Sequence, residues 1–532
     1  MLRAPVTPQH ITTLSHRKTP TYLYMPQPAC TPYPHPTLPP RPQGSMNILD
    51  LPWDALHEIF SHLRDPRVRT GSGENGWRWK RPGEAVGDEA DTADAARIQA
   101  IKNARLVCRA FNKVASPLLV PWILVSVDRE SLRKVDEISR NPDIASGVRG
   151  IKIDATYYPK ELATDRARFA QRQRHDVLDE NNYMSSQLHT DEEEEMRANC
   201  SFIIKAWVNA LSSIADGATE ETEYQVLLRE AHNEFRRRHE EMSGMVADGS
   251  FAKQLAQSVS RFPAFGSLWI DSDSPRTTRD MHDPLKTFND RKSLVEFLVS
   301  PYIWRDVEKT VPGQRGPDGE MELAVARLIL DLPLAIHEAG GVLRGLRLWV
   351  VPKLLRNRVL FDPAGREHEL RGAFRHLEHF SLVDYSSRVF GGETVIPPER
   401  LDPLDRYLAA VVSTPTLRTL RLQLPRRVPY ASRYPGASII AAVASDRLNV
   451  LSLEGLLVRQ SDLEYLCSRL ARRPTYIEFS ALTMQTGKWA PIIDVVRRRT
   501  ATVCAEGKCE VIFEDLVGGE FGTHVERVYV TD

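Results

Sequence analysis

The feature that most restricts the fold of this chain is an apolar spacing that keeps returning. Leu343, Leu346 and Leu348 stand at i, i+3 and i+5. The same spacing recurs at Leu377, Phe380 and Leu382, at Leu417, Leu420 and Leu422, and at Leu448, Leu451 and Leu453. Ile477 and Phe479 give a weaker copy. Val148, Ile151 and Ile153 fit the template near the front, and Val525, Val528 and Val530 fit it at the end. Between copies the period turns helical. Pro398 to Ser413 carries Leu401, Leu404, Leu408 and Val411, and Ser461 to Arg473 carries Leu463, Leu466 and Leu470. Trp489 to Arg499 carries Ile492, Ile493 and Val496. Strands and helices that alternate, each with one apolar face, bury those faces only by stacking on their neighbours.

The central positions of the copies lie at 346, 380, 420, 451 and 477, with steps of 34, 40, 31 and 26 residues. Leucine-rich repeats run about 20–29 residues, so these units are long and irregular. The expected fold class is therefore mixed α/β, with a leucine-rich-repeat-like strand and helix solenoid over residues 321–532. An ordinary α/β domain with a parallel sheet is the alternative.

The rest of the chain differs in character. Residues 1–45 hold no Asp or Glu, four Lys or Arg and eleven Pro, which reads as a disordered, polyproline-prone tail. Met46 stands where ordered-looking sequence begins and could be an alternative start. Asp50-Leu51-Pro52 is a helix-start signal. Leu56, Ile59, Phe60 and Leu63 then share a face at i, i+3, i+4 and i+7. A loop rich in Gly, Asp and Glu fills residues 64–95. Helical periodicity resumes with Ile98, Ile101, Ala104, Cys108, Phe111 and Ala115, and Pro117 closes it. Residues 123–158 contain the first repeat-like strands, with a helix over 128–142. Residues 159–320 read as a charged, mainly helical insertion that includes the acidic run Asp191 to Glu195. Helices are expected within it at Ser201 to Ile214, Glu221 to Met242 and Ser293 to Trp304.

Residues 46–122 resemble the F-box. The resemblance rests on Leu51-Pro52, Leu56, Ile59-Phe60 and Leu63, and then on Ala104-Arg105-Leu106-Val107-Cys108-Arg109-Ala110-Phe111 with Ala115. The departure from that family is the inserted loop, and a surface insertion costs little because loop entropy grows slowly with length. The layout as a whole is similar to fungal F-box proteins with degenerate repeats. The resemblance implies a three-helix module that docks a Skp-type adaptor and, through it, a cullin scaffold. The chain would then be a non-catalytic substrate receptor, working in the cytoplasm or nucleus. Its expected adaptor-binding residues are Leu51, Pro52, Leu56, Ile59, Leu63, Val107 and Cys108, while Phe60 and Phe111 hold the module's own core. A module of this size cannot enclose all its apolar groups, which points to a partner independently. An F-box scaffold acting outside a cullin ligase is the runner-up.

In the solenoid, residues at i+3 and i+5 point to the core and their neighbours to the inner face. That places Arg347, Trp349, Ser381, Val383, Arg421, Gln423, Ser452 and Glu454 on the inner face. Arg347, Trp349, Arg421 and Gln423 are the expected contacts to an unknown protein target, because Trp and Arg dominate interface energetics. The 70 basic residues balance the 70 acidic ones, so no overall pull toward nucleic acid or acidic membrane is expected. No apolar run approaches the ~18 residues of a membrane helix. The six cysteines are too sparse for a disulfide framework.

No catalytic residue, metal ligand or cofactor site is expected. Asp271-Ser272-Asp273 reads as a polar loop. Cys504 and Cys509 read as a buried strand pair. His232 and His239 do not form H-E-x-x-H. A hydrolase or metalloenzyme hidden in residues 160–320 would need a pocket with convergent polar groups.

Overall fold

The computed structural model describes residues 51–63, 88–187, 198, 201, 205, 208–209, 212, 223–271, 290–303, 324–350, 362–363, 365–384, 402–424, 434–522 and 526–528. The chain divides after Pro52 into two units, and only Leu51 and Pro52 of the first are described.

The second unit is mixed α/β. It opens with helices α1 (Trp53–Ser61), α2 (Asp88–Val107) and α3 (Arg109–Ala115), followed by a 3-10 turn at Ser116–Leu118. Twelve strands then form a parallel sheet, and a thirteenth pairs antiparallel with the strand at which the sheet turns. Eight strands add in chain order: β1 (Trp122–Ser126), β2 (Gly150–Asp154), β3 (Ser267–Asp271), β4 (Gly345–Val350), β5 (His379–Asp384), β6 (Thr419–Gln423), β8 (Val450–Glu454) and β10 (Tyr476–Ser480). Strand β12 (Glu510–Gly518) follows β10. Its far end turns the sheet into a short second row, β11 (Thr483–Thr486), β9 (Leu456–Arg459) and β7 (Tyr434–Pro435).

The turn between the rows has a backbone signature. Gly455, Ala481 and Asp515 stand just past the first-row pairs, and all three have positive φ, at 75°, 48° and 54°. The Gly455 amide donates to the Ser480 carbonyl and the Ala481 amide to the Glu514 carbonyl, so the corners stack in register. Only glycine adopts that conformation at no steric cost.

One helix per strand covers one face. The row runs α4 (Arg129–Ser139), α9 (Ser250–Val259), α11 (Leu328–Glu338), α12 (Glu367–Phe374), α13 (Asp402–Val412), α14 (Ala437–Ala442), α15 (Gln460–Ser468) and α16 (Trp489–Ala505), each packed on the next. The repeated leucines lie between helices and sheet. Leu346, Leu348, Phe380, Leu382, Leu420, Leu422, Leu451 and Leu453 are all buried within one core that continues to Leu516. Burying a Leu or Phe fully contributes about 1.5–3 kcal/mol.

A helical group sits between β2 and β3. Helices α6 (Lys160–Thr164), α7 (Arg166–Gln187) and α8 (Glu223–Ala247) pack together, and α8 also meets α10 (Arg291–Leu298), which follows β3. Phe169, Phe235 and Tyr302 form its centre.

Several expectations change here. The segment read as a polar loop at Asp271 is β3, paired with β2 and β4 in mid-sheet. Phe265, Leu268 and Ile270 carry the repeat spacing there, with Phe in the first position and all three buried. The regular array therefore runs through residues 159–320 rather than resuming after them. Helix α2 begins at Asp88, inside the span read as loop 64–95. Alanine-rich sequence favours helix even without apolar periodicity. Cys504 lies in the last turn of α16 and Cys509 directly precedes β12, both half-buried, so they are not a strand pair. At the C-terminal end Val528 lies in β13 (Glu526–Val528), antiparallel to β12, where a further parallel copy was expected. Val525 and Val530, the 191–195 run and most of Ser201 to Ile214 lie outside the described residues.

Candidate functional site

The three N-terminal helices divide their apolar residues between a small core and solvent. Leu56 and Phe60 turn inward from α1, at 2% and 5% exposure. The rings of Phe60 and Phe111 meet edge to face at 5.1 Å. Cys108 breaks the chain between α2 and α3, with extended backbone, and its Sγ accepts from the Phe111 amide at 3.5 Å. That sulfur caps α3. Arg105 Nε donates to Asn112 Oδ1 at 3.2 Å and to Ser116 Oγ at 3.0 Å, tying the end of α2 to the end of α3.

The other apolar side chains face water. Trp53 is 41% exposed, Ile59 45%, Val107 63% and Leu106 85%. Only one other large apolar residue among the described ones is exposed, Val342, so this surface is concentrated on one small module. Leu63 is half-buried. In the first unit, Leu51 is half-buried and Pro52 exposed. Of the residues expected to touch an adaptor, the structure thus leaves Ile59, Val107 and Pro52 open, encloses Leu56 and employs Cys108 as a cap. Trp53 and Leu106 were not singled out from the sequence, although Leu106 stands inside the motif and Trp53 follows Pro52.

The sheet face away from the helices carries a second constellation. Lys152, Trp269, Arg347, Ser381, Arg421, Ser452 and Glu478 occupy one row, each in register with the next. Lys152 Nζ lies 4.6 Å from the Trp269 ring centroid, and the Arg347 guanidinium stacks 3.8 Å above the same ring and 5.4 Å from Trp349. Such cation–π contacts contribute about 0.5–2 kcal/mol each. Lys152 Nζ also bridges at 3.0 Å to Asp271, which is fully buried. Burial pushes the Arg347 guanidinium well below its ordinary pKa, with Asp271 pulling it back. Arg421 is lowered for the same reason, against the pull of Tyr476, Glu478 and Glu510, and its guanidinium lies 5.0 Å from the Tyr476 ring. Glu478 accepts from Ser452 Oγ at 2.7 Å and from Tyr476 Oη at 3.0 Å.

Arg347, Trp349, Arg421 and Gln423 are half-buried on this face. Ser381, Val383, Ser452 and Glu454 are buried and do not present a contact surface. Lys152, Trp269 and Glu478 belong to the row and Tyr476 stands beside it, and sequence reasoning did not find them.

The residues weighed for chemistry have structural partners. His232 Nε2 is 3.0 Å from the Leu162 carbonyl, and His239 Nδ1 is 2.7 Å from that of Tyr158. In the helical group, Asp176 takes an ion pair from Arg172 at 3.0 Å and a hydrogen bond from Tyr302 Oη at 2.9 Å. No set of three metal-ligating side chains and no helix long and apolar enough to cross a membrane occurs among the described residues. No family model, curated protein or solved structure matches this chain.

Proposed function

We propose that this chain is the substrate-recognition adaptor of an SCF-type ubiquitin ligase, with an F-box at residues 46–122 and a leucine-rich-repeat-like solenoid that binds the target. The observation that carries this reading is the exposed apolar surface of the N-terminal module. The chain encloses its other large apolar residues almost everywhere among the described ones, yet leaves Trp53, Ile59, Leu106 and Val107 in water. Apolar helical surfaces of that kind mark docking sites for a partner protein. The Leu51-Pro52 start and the Leu106-Val107-Cys108-Arg109 stretch make a Skp-type adaptor the partner of choice. On the sheet, strands that add in chain order with one helix each follow repeat logic. The row around Arg347, Trp349 and Arg421 supplies the residue types that anchor interfaces.

The test is co-purification of a Skp-type adaptor with the full chain and with Ile59→Asp/Val107→Asp. Each anchor in such an interface is worth about 2 kcal/mol or more, so the double variant should lose the adaptor while its circular dichroism stays unchanged. Undiminished recovery would sink the assignment. Recovery of adaptor without cullin would favour a scaffold acting outside the ligase.

A further inference from the structure

The formal charge of the chain is zero, but its charge is not evenly spread. Where the strands of the C-terminal half begin, the backbone runs in a ladder. Arg418 donates its amide to Glu378, Asn449 to Arg418, Thr475 to Asn449 and Glu510 to Thr475. Arg418, Arg447, Arg472, Arg473, Arg499 and Lys508 gather along this edge. Arg499 reaches the Ser468 carbonyl at 3.4 Å and Arg473 reaches Glu506 at 3.8 Å, which brings the ends of α15 and α16 to the ladder. All six are exposed. The described acids there are Glu378, Asp446, Glu506 and Glu510, and their pairings are loose or shared. Arg418 is 3.7 Å from Glu378 and Arg447 3.7 Å from Asp446, while Lys508 and Arg473 both lean on Glu506 and hold its carboxyl below the usual range. Neither Arg472 nor Arg499 has an ion-pair partner among the described residues.

Helix C-termini attract cations, but that does not account for the cluster. Arg499 stands well before the end of α16 at Ala505, and the dipole acts only over the last turn. A concentration of exposed like charge destabilises the folded state by self-repulsion, so its presence calls for an anionic occupant.

We infer that this arginine-rich edge docks an acidic segment, rich in Asp and Glu, of a partner protein. Five of the six cations are Arg, whose planar fork matches carboxylates two bonds at a time. Single-stranded nucleic acid would instead need aromatic platforms beside the charges. The aromatics at this edge are half-buried and already engaged: Tyr476, next to Thr475, donates its hydroxyl to Glu478 and lies 5.0 Å from the Arg421 guanidinium, and Tyr465 has Arg469 laid 4.8 Å from its ring. The surface is distinct from both the N-terminal module and the Arg347 row, and it stands whether or not the chain is a ligase receptor.

The test uses the full chain and a fluorescein-labelled oligo-glutamate peptide, read by anisotropy. Arg472→Glu/Arg473→Glu/Arg499→Glu should weaken binding at least about tenfold, because like charges now face the ligand. Binding by the parent chain should also fall steeply with salt. A control, Arg133→Glu/Arg237→Glu on other helices, should bind as the parent does. Thermal melts of both variants serve to show that the fold is intact. Equal binding by parent and triple variant, or equal loss in the control, overturns the proposal. So does single-stranded RNA of equal charge binding more tightly than the peptide.

Discussion

The N-terminal module and the strand-helix array are built from the same kinds of residue and treat them in opposite ways. In the array, Leu346, Leu348, Phe380 and Leu382 are fully buried, because each strand has a neighbour on both sides and a helix row above. In the module, Ile59 and Val107 come from equally periodic segments and stay open. The three helices around Phe60 and Phe111 enclose too little volume to bury a second apolar layer. The difference lies in whether a next unit exists. An array supplies its own next unit, and on the function proposed above the module takes its next unit from the adaptor.

That contrast gives ordered consequences. Phe380→Ala opens a cavity between β4, β5, β6 and the helices and should cost about 3–5 kcal/mol in urea unfolding. Ile59→Ala should change stability by under about 0.5 kcal/mol and yet weaken adaptor binding by about 2 kcal/mol. Comparable destabilisation by the two would mean that Ile59 is core and that the contrast is void.

The junction between the regions comes next in size. Gly147 follows α5 (Pro142–Ala145), and a Cβ built on it would meet the Pro117 carbonyl oxygen at 1.7 Å. Pro117 lies in the 3-10 turn that closes the module, and a backbone atom cannot swing aside as a side chain would. Gly147→Ala should therefore separate module from array at a cost of about 1–3 kcal/mol. Limited proteolysis would show the outcome as cleavage within the module while the array remains protected. Simultaneous loss of both would make them one cooperative unit.

How much of this was legible in the sequence depended on whether the cause was local. Leu343, Leu346 and Leu348 advertise a strand because their spacing alone sorts core from face. Strand β3 has the same spacing, but Phe265 in the first position and Asp271 after the apolar pair disguised it. The second row was unreadable, because its corners depend on positive φ at Ala481 and Asp515, and only Gly455 belongs to a residue type that signals it. Trp349 and Arg421 could be placed on the far face by alternation. Lys152 and Asp271 could not be paired, since register between strands more than a hundred residues apart is set by packing. Cys108 carried the motif and gave no hint that its sulfur caps α3.

The smallest of these consequences is a pH dependence confined to the array. His379 begins β5, half-buried, with Nδ1 3.0 Å from Thr419 Oγ1. Burial lowers its pKa from 6.5, as does the nearby Arg418, and Glu378 opposes them. The native state therefore holds the neutral ring at pH values where the unfolded chain already takes a proton. Below about pH 6.5 the unfolded state binds more protons, so this contribution to stability is full above 6.5 and declines as pH falls toward the lower folded value. His379→Gln removes the titration and leaves a group able to hydrogen-bond Thr419. Between about pH 7.5 and 5.5, urea midpoints of the parent should fall further than those of the variant. His232, also lowered by burial, adds to the slope in both proteins and cancels in the comparison. Parallel midpoints would show that the array does not register the half-buried ring.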